Sequence, residues 1–196
     1  MNVEAKPGVL AFFAENLCEI ASALERGSET SRVAVVEIDP NVFVAEIDPR
    51  NFSVMLSDYG KPVILSIGKG TASEGLCRII ELSHLAFASE ETEFEWPTDI
   101  EDGNSISQNK AVEIGLVNEN PEGLDHMAAS RNTAERIALM APLAVRAVLE
   151  SASEQSDENA GFERELELFS NLFSTRDMRR GTEAFLNKKE AEFFGD

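Results

Sequence analysis

Apolar residues fall along this chain in two kinds of run. Short, dense runs occur at Arg32-Val33-Ala34-Val35-Val36-Glu37-Ile38, bounded by Asp39-Pro40, at Val63-Ile64-Leu65-Ser66-Ile67, and at Leu85 to Ala88. Their length and β-branched content predict strands. Longer stretches repeat every three to four residues. Val9 to Arg26 places Phe12, Phe13, Leu17, Ile20 and Leu24 on one helical face with acids opposite, and Gly27-Ser28 ends it, which predicts a first helix beginning almost at Met1. Glu74 to Leu82 is helix-like. Leu124 to Met140 and Pro142 to Glu150 read as amphipathic helices separated at Ala141-Pro142. Phe162 to Phe173 gives a third, carrying Leu166, Leu168, Phe169, Leu172 and Phe173, and Thr175-Arg176-Asp177 opens a last helix running through Lys189.

The stretch from Lys61 to Thr98 combines these elements into one unit. A strand, the small-residue turn Gly68-Lys69-Gly70-Thr71-Ala72-Ser73, a helix and a second strand make a crossover, which puts the turn at the carboxyl end of a strand, where open α/β sheets bind ligands. The N-terminus of the following helix offers unpaired N–H groups to an anion or a developing oxyanion. Gly70 and Gly75 would let a substrate approach the backbone. Most glycine turns before helices are only turns, so this signal needs the rest of the chain beside it.

Charge narrows the partners. With 36 acidic and 17 basic residues the net charge is -19, which argues against nucleic acid and anionic membrane surfaces. A polyanionic ligand would depend on a few well-placed Arg and Lys residues. The 196 residues, 43% of them hydrophobic, suffice for a sizeable core. The two cysteines, Cys18 and Cys77, lie in apolar helix-like patterns without metal-ligand spacing to each other or to His84 and His126, as expected of free thiols in a reducing compartment. No apolar run approaches the ~20 residues of a membrane span. A cytoplasmic location and no metal are expected.

The Lys61 unit resembles the core of the crotonase family, the enoyl-CoA hydratases and isomerases. Lys61-Pro62-Val63-Ile64, Glu74-Gly75-Leu76-Cys77-Arg78, Phe87-Ala88-Ser89 and Phe94-Glu95-Trp96-Pro97-Thr98 are similar to that family's Lys-Pro-Val-Ile, Gly-Gly-Gly-Cys-Glu, Ile-Ala-Ser and Phe-Gly-x-Pro-Glu. Val42 to Arg50 occupies the place of its Phe-x-Ala-Gly-Ala-Asp-Leu. Gly103 to Val117 matches its Gly-Leu-Val interval, and Asp177 to Lys189 resembles its Ala-Phe-Leu-Glu-Lys-Arg ending. A segment normally lying between Pro97 and Gly103, and an N-terminal β-hairpin, are missing from this match.

The resemblance implies an α/β crotonase-like (ClpP/crotonase) ββα spiral over residues 1–120 and a C-terminal helical region over 121–196 that packs across a homotrimer or hexamer. It implies an oxyanion hole from the backbone N–H groups of Ile47 and Gly75. It also implies coenzyme A contacts at Ala45, Arg50, Phe185 and Lys188, with an acyl-CoA thioester as substrate or ligand and no permanent cofactor. Considered without the resemblance, Phe185 would be an ordinary core residue.

The family's two catalytic Glu positions fall on Arg78 and Thr98, which cannot exchange protons in the same way. Glu74 and Asp99 are the nearest candidates to replace them, with Glu46, Glu95 and Glu101 close in sequence. A guanidinium at position 78 could bind a carboxylate, favouring a malonyl-type substrate, or form a surface ion pair with Glu74 or Glu81. Two functional classes follow: an acyl-CoA enzyme of the hydratase/isomerase type with a divergent site, or a non-catalytic crotonase-fold subunit that binds a partner enzyme or a CoA ligand. Ala72-Ser73-Glu74-Gly75 also resembles the nucleophile turn of Clp-type serine peptidases. That reading lacks a suitably spaced His, and the C-terminal half speaks against it.

Overall fold

The stretch from Val9 to Arg26 is a strand followed by a helix rather than one helix. In this computed structural model, which describes residues 7–43, 49–96, 105–153 and 158–196, Val9–Phe13 is strand β1 and Leu17–Gly27 is helix α1. Asn16 fixes the start of α1, its side chain accepting a hydrogen bond from the Glu19 N–H at 3.0 Å. Upstream of that cap the residues pair in parallel with the next strand, from Val9 with Val33 to Phe13 with Glu37. Ladder hydrogen bonds thus override the helical spacing of Phe12 and Phe13.

The order continues as β2 (Val33–Ile38), α2 (Pro49–Tyr59), β3 (Val63–Ile67), β4 (Gly70–Ala72), α3 (Glu74–Leu82), β5 (Leu85–Ala88), β6 (Thr92–Glu95), β7 (Ser105–Ser107), α4 (Gln108–Glu113), α5 (His126–Ala138), α6 (Pro142–Ser153), α7 (Glu158–Leu172) and α8 (Arg176–Leu186). Strands β1, β2, β3 and β5 form a parallel sheet in that order. Strands β4, β6 and β7 form a second sheet, with β4 parallel and β7 antiparallel to β6. β2 and β3 are buried almost throughout, which explains their unbroken apolar runs. Ala34, Val36 and Ile38 of β2 and Val63, Leu65 and Ile67 of β3 pack with Leu17, Ile20 and Leu24 of α1, Phe52 and Leu56 of α2, and Leu76, Ile79 and Ile80 of α3.

Lys61 serves this packing. Its ammonium donates to the carbonyls of Ser28 and Ser31, tying the end of α1 to the start of β3. The Ser31 hydroxyl in turn bonds Tyr59 OH at 2.7 Å.

The chain forms two compact units, Met1–Glu135 and Arg136–Asp196. Within the second, α8 begins at its cap Thr175, whose hydroxyl accepts from the Met178 N–H at 3.1 Å. It stops at Leu186, short of Lys189, because Lys188 takes the left-handed conformation (φ 52). The Lys188 N–H donates to Phe185 O and the Lys189 N–H to Ala184 O, a Schellman-type stop.

The tail beyond this stop returns to the start of α8. Asp177, 2% exposed, accepts hydrogen bonds from the N–H groups of Phe194 (3.0 Å) and Gly195 (2.7 Å) and from Arg180 (2.7 Å). Arg180 also pairs with Asp196 and covers the Phe194 ring at 4.7 Å. Burial alone would raise the Asp177 carboxyl, but these donors hold it below its ordinary value.

A depressed carboxylate contributes stability above its unfolded value, near 3.8, and loses that contribution as the pH falls through the folded value. Asp177→Asn is therefore expected to lower the stability of the C-terminal unit by about 1–3 kcal/mol at pH 7. In urea titrations the gap between variant and parent should narrow below pH 4.

Candidate functional site

Ile38 pairs with Ile67, so β2 and β3 end level and their two following loops emerge side by side. Asn41 joins them. Its amide donates to Lys69 O at 3.0 Å and to the Asp39 carboxylate at 2.8 Å, and the Gly68 N–H donates to Ile38 O at 2.8 Å. Gly70 has φ +138, and a Cβ there would lie 2.5 Å from the Asn41 side chain. The room at Gly70 is thus taken by Asn41, not left for a substrate as the sequence suggests. Ala45 and Ile47 follow β2 in the sequence and lie outside the described residues, as do Thr98 and Asp99.

The N-terminus of α3 is capped rather than bare. The Ser73 hydroxyl accepts from the Leu76 N–H at 3.3 Å, and Ser73 O accepts from the Cys77 N–H. Among the described residues none accepts from the Gly75 N–H, which stays available at the start of α3, just after the carboxyl end of β4. Ser73 spends its hydroxyl on the cap, and His84 lies beyond the other end of α3, ~14 Å away by helical rise. The two cannot act as nucleophile and base.

One turn into α3, Arg78 is held on an exposed face. It pairs with Glu81 at 3.0 Å and Glu74 at 3.9 Å and lies over the Trp96 ring at 5.6 Å. The ion-pair alternative read from the sequence is thus realised. A substrate carboxylate would meet two acids already on the guanidinium, which disfavours a malonyl-type substrate. Glu74, 68% exposed in its side chain, faces water. Beneath Arg78, burial, followed by the nearby Glu95 and Glu81, pushes the Cys77 thiol up to about 12, so it is not a nucleophile at neutral pH.

Two of Arg78's partners, Glu81 and Trp96, also line a cavity of about 340 Å³ running along the C-terminal half of α3. Ile80, Ile114 and Leu116 contribute apolar walls, and His84 and Asn118 contribute polar ones. His84 Nδ1 accepts from the Val63 N–H at 3.0 Å, so the ring proton of the neutral imidazole sits on Nε2. Burial pushes its pKa below the ordinary value.

The other expected residues are placed as follows. Arg50 is exposed in the first turn of α2. In the C-terminal unit Phe185 is 83% exposed, which excludes the core role, and Lys188 is exposed three residues on at the helix stop.

No protein-family profile matches the sequence. A curated relative, the short-chain-enoyl-CoA hydratase of Clostridium acetobutylicum, is 26% identical over an alignment of 216 residues that covers 92% of this chain and 82% of the relative. The chain has the crotonase fold. Its fold is similar throughout to crystal structures of crotonase-fold enoyl-CoA hydratases. One from Bacillus anthracis has a TM-score of 0.80 and 21% identity, covering 99% of this chain and 98% of that one. Another, from Mycobacterium tuberculosis, has a TM-score of 0.78 and 19% identity, covering 100% and 98%.

Within this crotonase frame, sequence reasoning misses Asn41 and the cavity. Asn41 follows Asp39-Pro40 and reads as an ordinary turn residue. His84 enters that reasoning only as a peptidase base, and nothing in the sequence brings Trp96 to Ile114 and Asn118.

The two thiols should differ sharply. Cys18 is exposed and Cys77 buried. Titration with an aromatic disulfide at pH 8 should find one reactive thiol per native chain and two after denaturation. Rapid reaction of Cys77 in the native protein would contradict the burial described.

Proposed function

We propose that this crotonase-fold protein binds an acyl-CoA thioester, its carbonyl oxygen accepting from the Gly75 N–H, and that it has little hydratase activity. The carrying observation is that N–H, without an acceptor among the described residues, at the start of α3 just after the carboxyl end of β4. The Ile47 N–H, outside the described residues, is by the resemblance the proposed second donor. By the resemblance, Arg50, Ala45, Phe185 and Lys188 meet the coenzyme. The exposure of Phe185 and its fixed spacing from the Lys188 cation at the helix stop support this assignment.

The hydratase reaction needs carboxyl groups to position water and deliver a proton. By the resemblance those positions are Arg78 and Thr98. Arg78 is occupied by Glu74, Glu81 and Trp96, and Glu74 is the described acid nearest the proposed hole. Losing each assisted proton transfer costs on the order of 10²–10⁴ in rate.

A second reading, a binding subunit without catalysis, is favoured by α7. Phe162 (66% exposed), Leu166, Phe169 and Phe173 recur at helical spacing along one exposed face, Phe169 and Phe173 stacking edge to face at 5.1 Å. Such a stripe suits association with further copies of the chain, a trimer or a dimer of trimers, or with a partner enzyme.

Crotonyl-CoA should be hydrated slowly or not at all in a panel of enoyl-, malonyl- and 3-hydroxyacyl-CoA thioesters. Full hydratase activity surviving Glu74→Gln and Asp99→Asn together would overturn this account of the site. Lys188→Gly should stabilise the helix stop by ~1 kcal/mol while weakening CoA binding in calorimetry, because glycine tolerates the left-handed backbone but carries no cation. CoA binding unaffected by Lys188→Gly would remove Lys188 from the ligand contacts. Sedimentation at micromolar concentration should show an oligomer, and a monomer would count against the role given to α7.

A further inference from the structure

The cavity at the C-terminal end of α3 is a compartment of its own. Its polar lining stands against the first residues of β3 and β5, at the opposite end of the helix from Gly75. Whatever it holds is separate from the carbonyl site proposed above. A volume of about 340 Å³ is room for one small ring, at the lower end of the range for small-molecule pockets. Trp96 supplies a flat aromatic wall, and Ile80, Ile114 and Leu116 supply aliphatic ones.

Two side chains in this lining are fixed in the same manner. His84 spends Nδ1 on the Val63 N–H at 3.0 Å, and Asn118 spends Oδ1 on the Ala86 N–H at 3.0 Å. Val63 opens β3 and Ala86 is the second residue of β5, so both anchors belong to the sheet. With those acceptor atoms used, the groups left are donors: the Nε2–H of His84 and the amide hydrogens of Asn118, none with a partner among the described residues. Burial holds His84 below its ordinary pKa, so it is uncharged at pH 7. Glu81 supplies the complementary acceptor, since Arg78 holds one carboxylate oxygen at 3.0 Å and the other has no partner among the described residues.

A ligand that matches this set carries carbonyl oxygens for His84 and Asn118, an N–H for Glu81 and a flat face for Trp96. An alkyl or plain aromatic group would leave the donors desolvated and unpaired. A carboxylate or phosphate would meet Glu81 in a chain of net charge -19. We propose that the cavity binds a small neutral cyclic amide or imide, of the size and polarity of a pyrimidinedione ring. Glu81, His84 and Asn118 contact its polar edge.

Trp96 is the single tryptophan of the chain, so its emission reports on this cavity. The probes are uracil, 1,3-dimethyluracil, which keeps the ring but has no N–H, and orotate, which adds a carboxylate. With the full chain, uracil is expected to change the Trp96 emission saturably, and calorimetry gives the affinity. The dimethyl analogue should bind about 5-fold more weakly, the loss of one hydrogen bond, and orotate more weakly than uracil. Glu81→Gln should bring orotate closer to uracil. Asn118→Asp keeps an oxygen for the Ala86 N–H but lacks the amide hydrogens, so it should fold and lose most uracil binding. Ile114→Phe, at an exposed position, should fill the cavity and abolish binding. Failure of uracil to bind, equal affinity for uracil and its dimethyl analogue, or uracil binding that survives either Asn118→Asp or Ile114→Phe overturns the proposal. Titration of the same chain with CoA tests the acyl-CoA reading independently.

Discussion

Parallel pairing of β2 with β3, in the register that sets Ile38 beside Ile67, is the constraint on which the candidate site depends. A slip by one residue would break the pairs Val36–Leu65 and Ile38–Ile67 and exchange the side chains that one strand presents to each of the two packed faces. With the register held, the segments that follow β2 and β3 leave the sheet at one level, and the chain passes from there through β4 into α3, whose Gly75 N–H has no acceptor among the described residues. The helix then fixes everything further along: Arg78 one turn on, and Glu81 and His84 at the far end. A chain of short-range geometric steps thus connects a strand register to a cavity on the flank of the domain.

Electrostatics in this acidic chain is organised by sparing use of cations. Lys61 holds backbone carbonyls, Arg131 of α5 holds Glu37 of β2 at 2.5 Å, and Arg180 holds two aspartates, so these three cations secure the fold. Arg78 differs because its partners stand on an exposed helix face and at the mouth of a cavity. Its guanidinium neutralises Glu74 and Glu81 where a ligand would otherwise meet a negative surface.

The parts legible in the sequence are those with a single dominant signal. β2, β3, α3 and β5 have dense apolar runs or a capped amphipathic pattern, and α6 and the start of α8 carry Pro142 and Thr175 at their starts. Val9 to Phe13 reads as helix because a strand adjoining a helix can continue the helix's apolar spacing by coincidence, and only pairing with β2 decides. α2 is not legible, since Asn51-Phe52-Ser53-Val54 carries mixed propensities and gains its helix by burying Phe52 and Leu56. β4 hides in a small-residue turn because it is only three residues long and forms by pairing with β6. For the site, position along α3 is legible, whereas the occupancy of Arg78, the filling of Gly70 and the cavity all depend on residues distant in sequence.

The Asn41 amide has a consequence for the order of assembly. Its bond to Lys69 O spans 28 residues and cannot close before β2 and β3 have paired. The entropy of closing that loop is therefore met by the sheet first, and the two loops are joined afterwards at little further loss. Local opening runs the same sequence in reverse, so amides around Asn41 and Gly70 exchange before those of Val35 and Leu65. A substrate gripped by these loops would be held by the least cooperative edge of an otherwise rigid sheet.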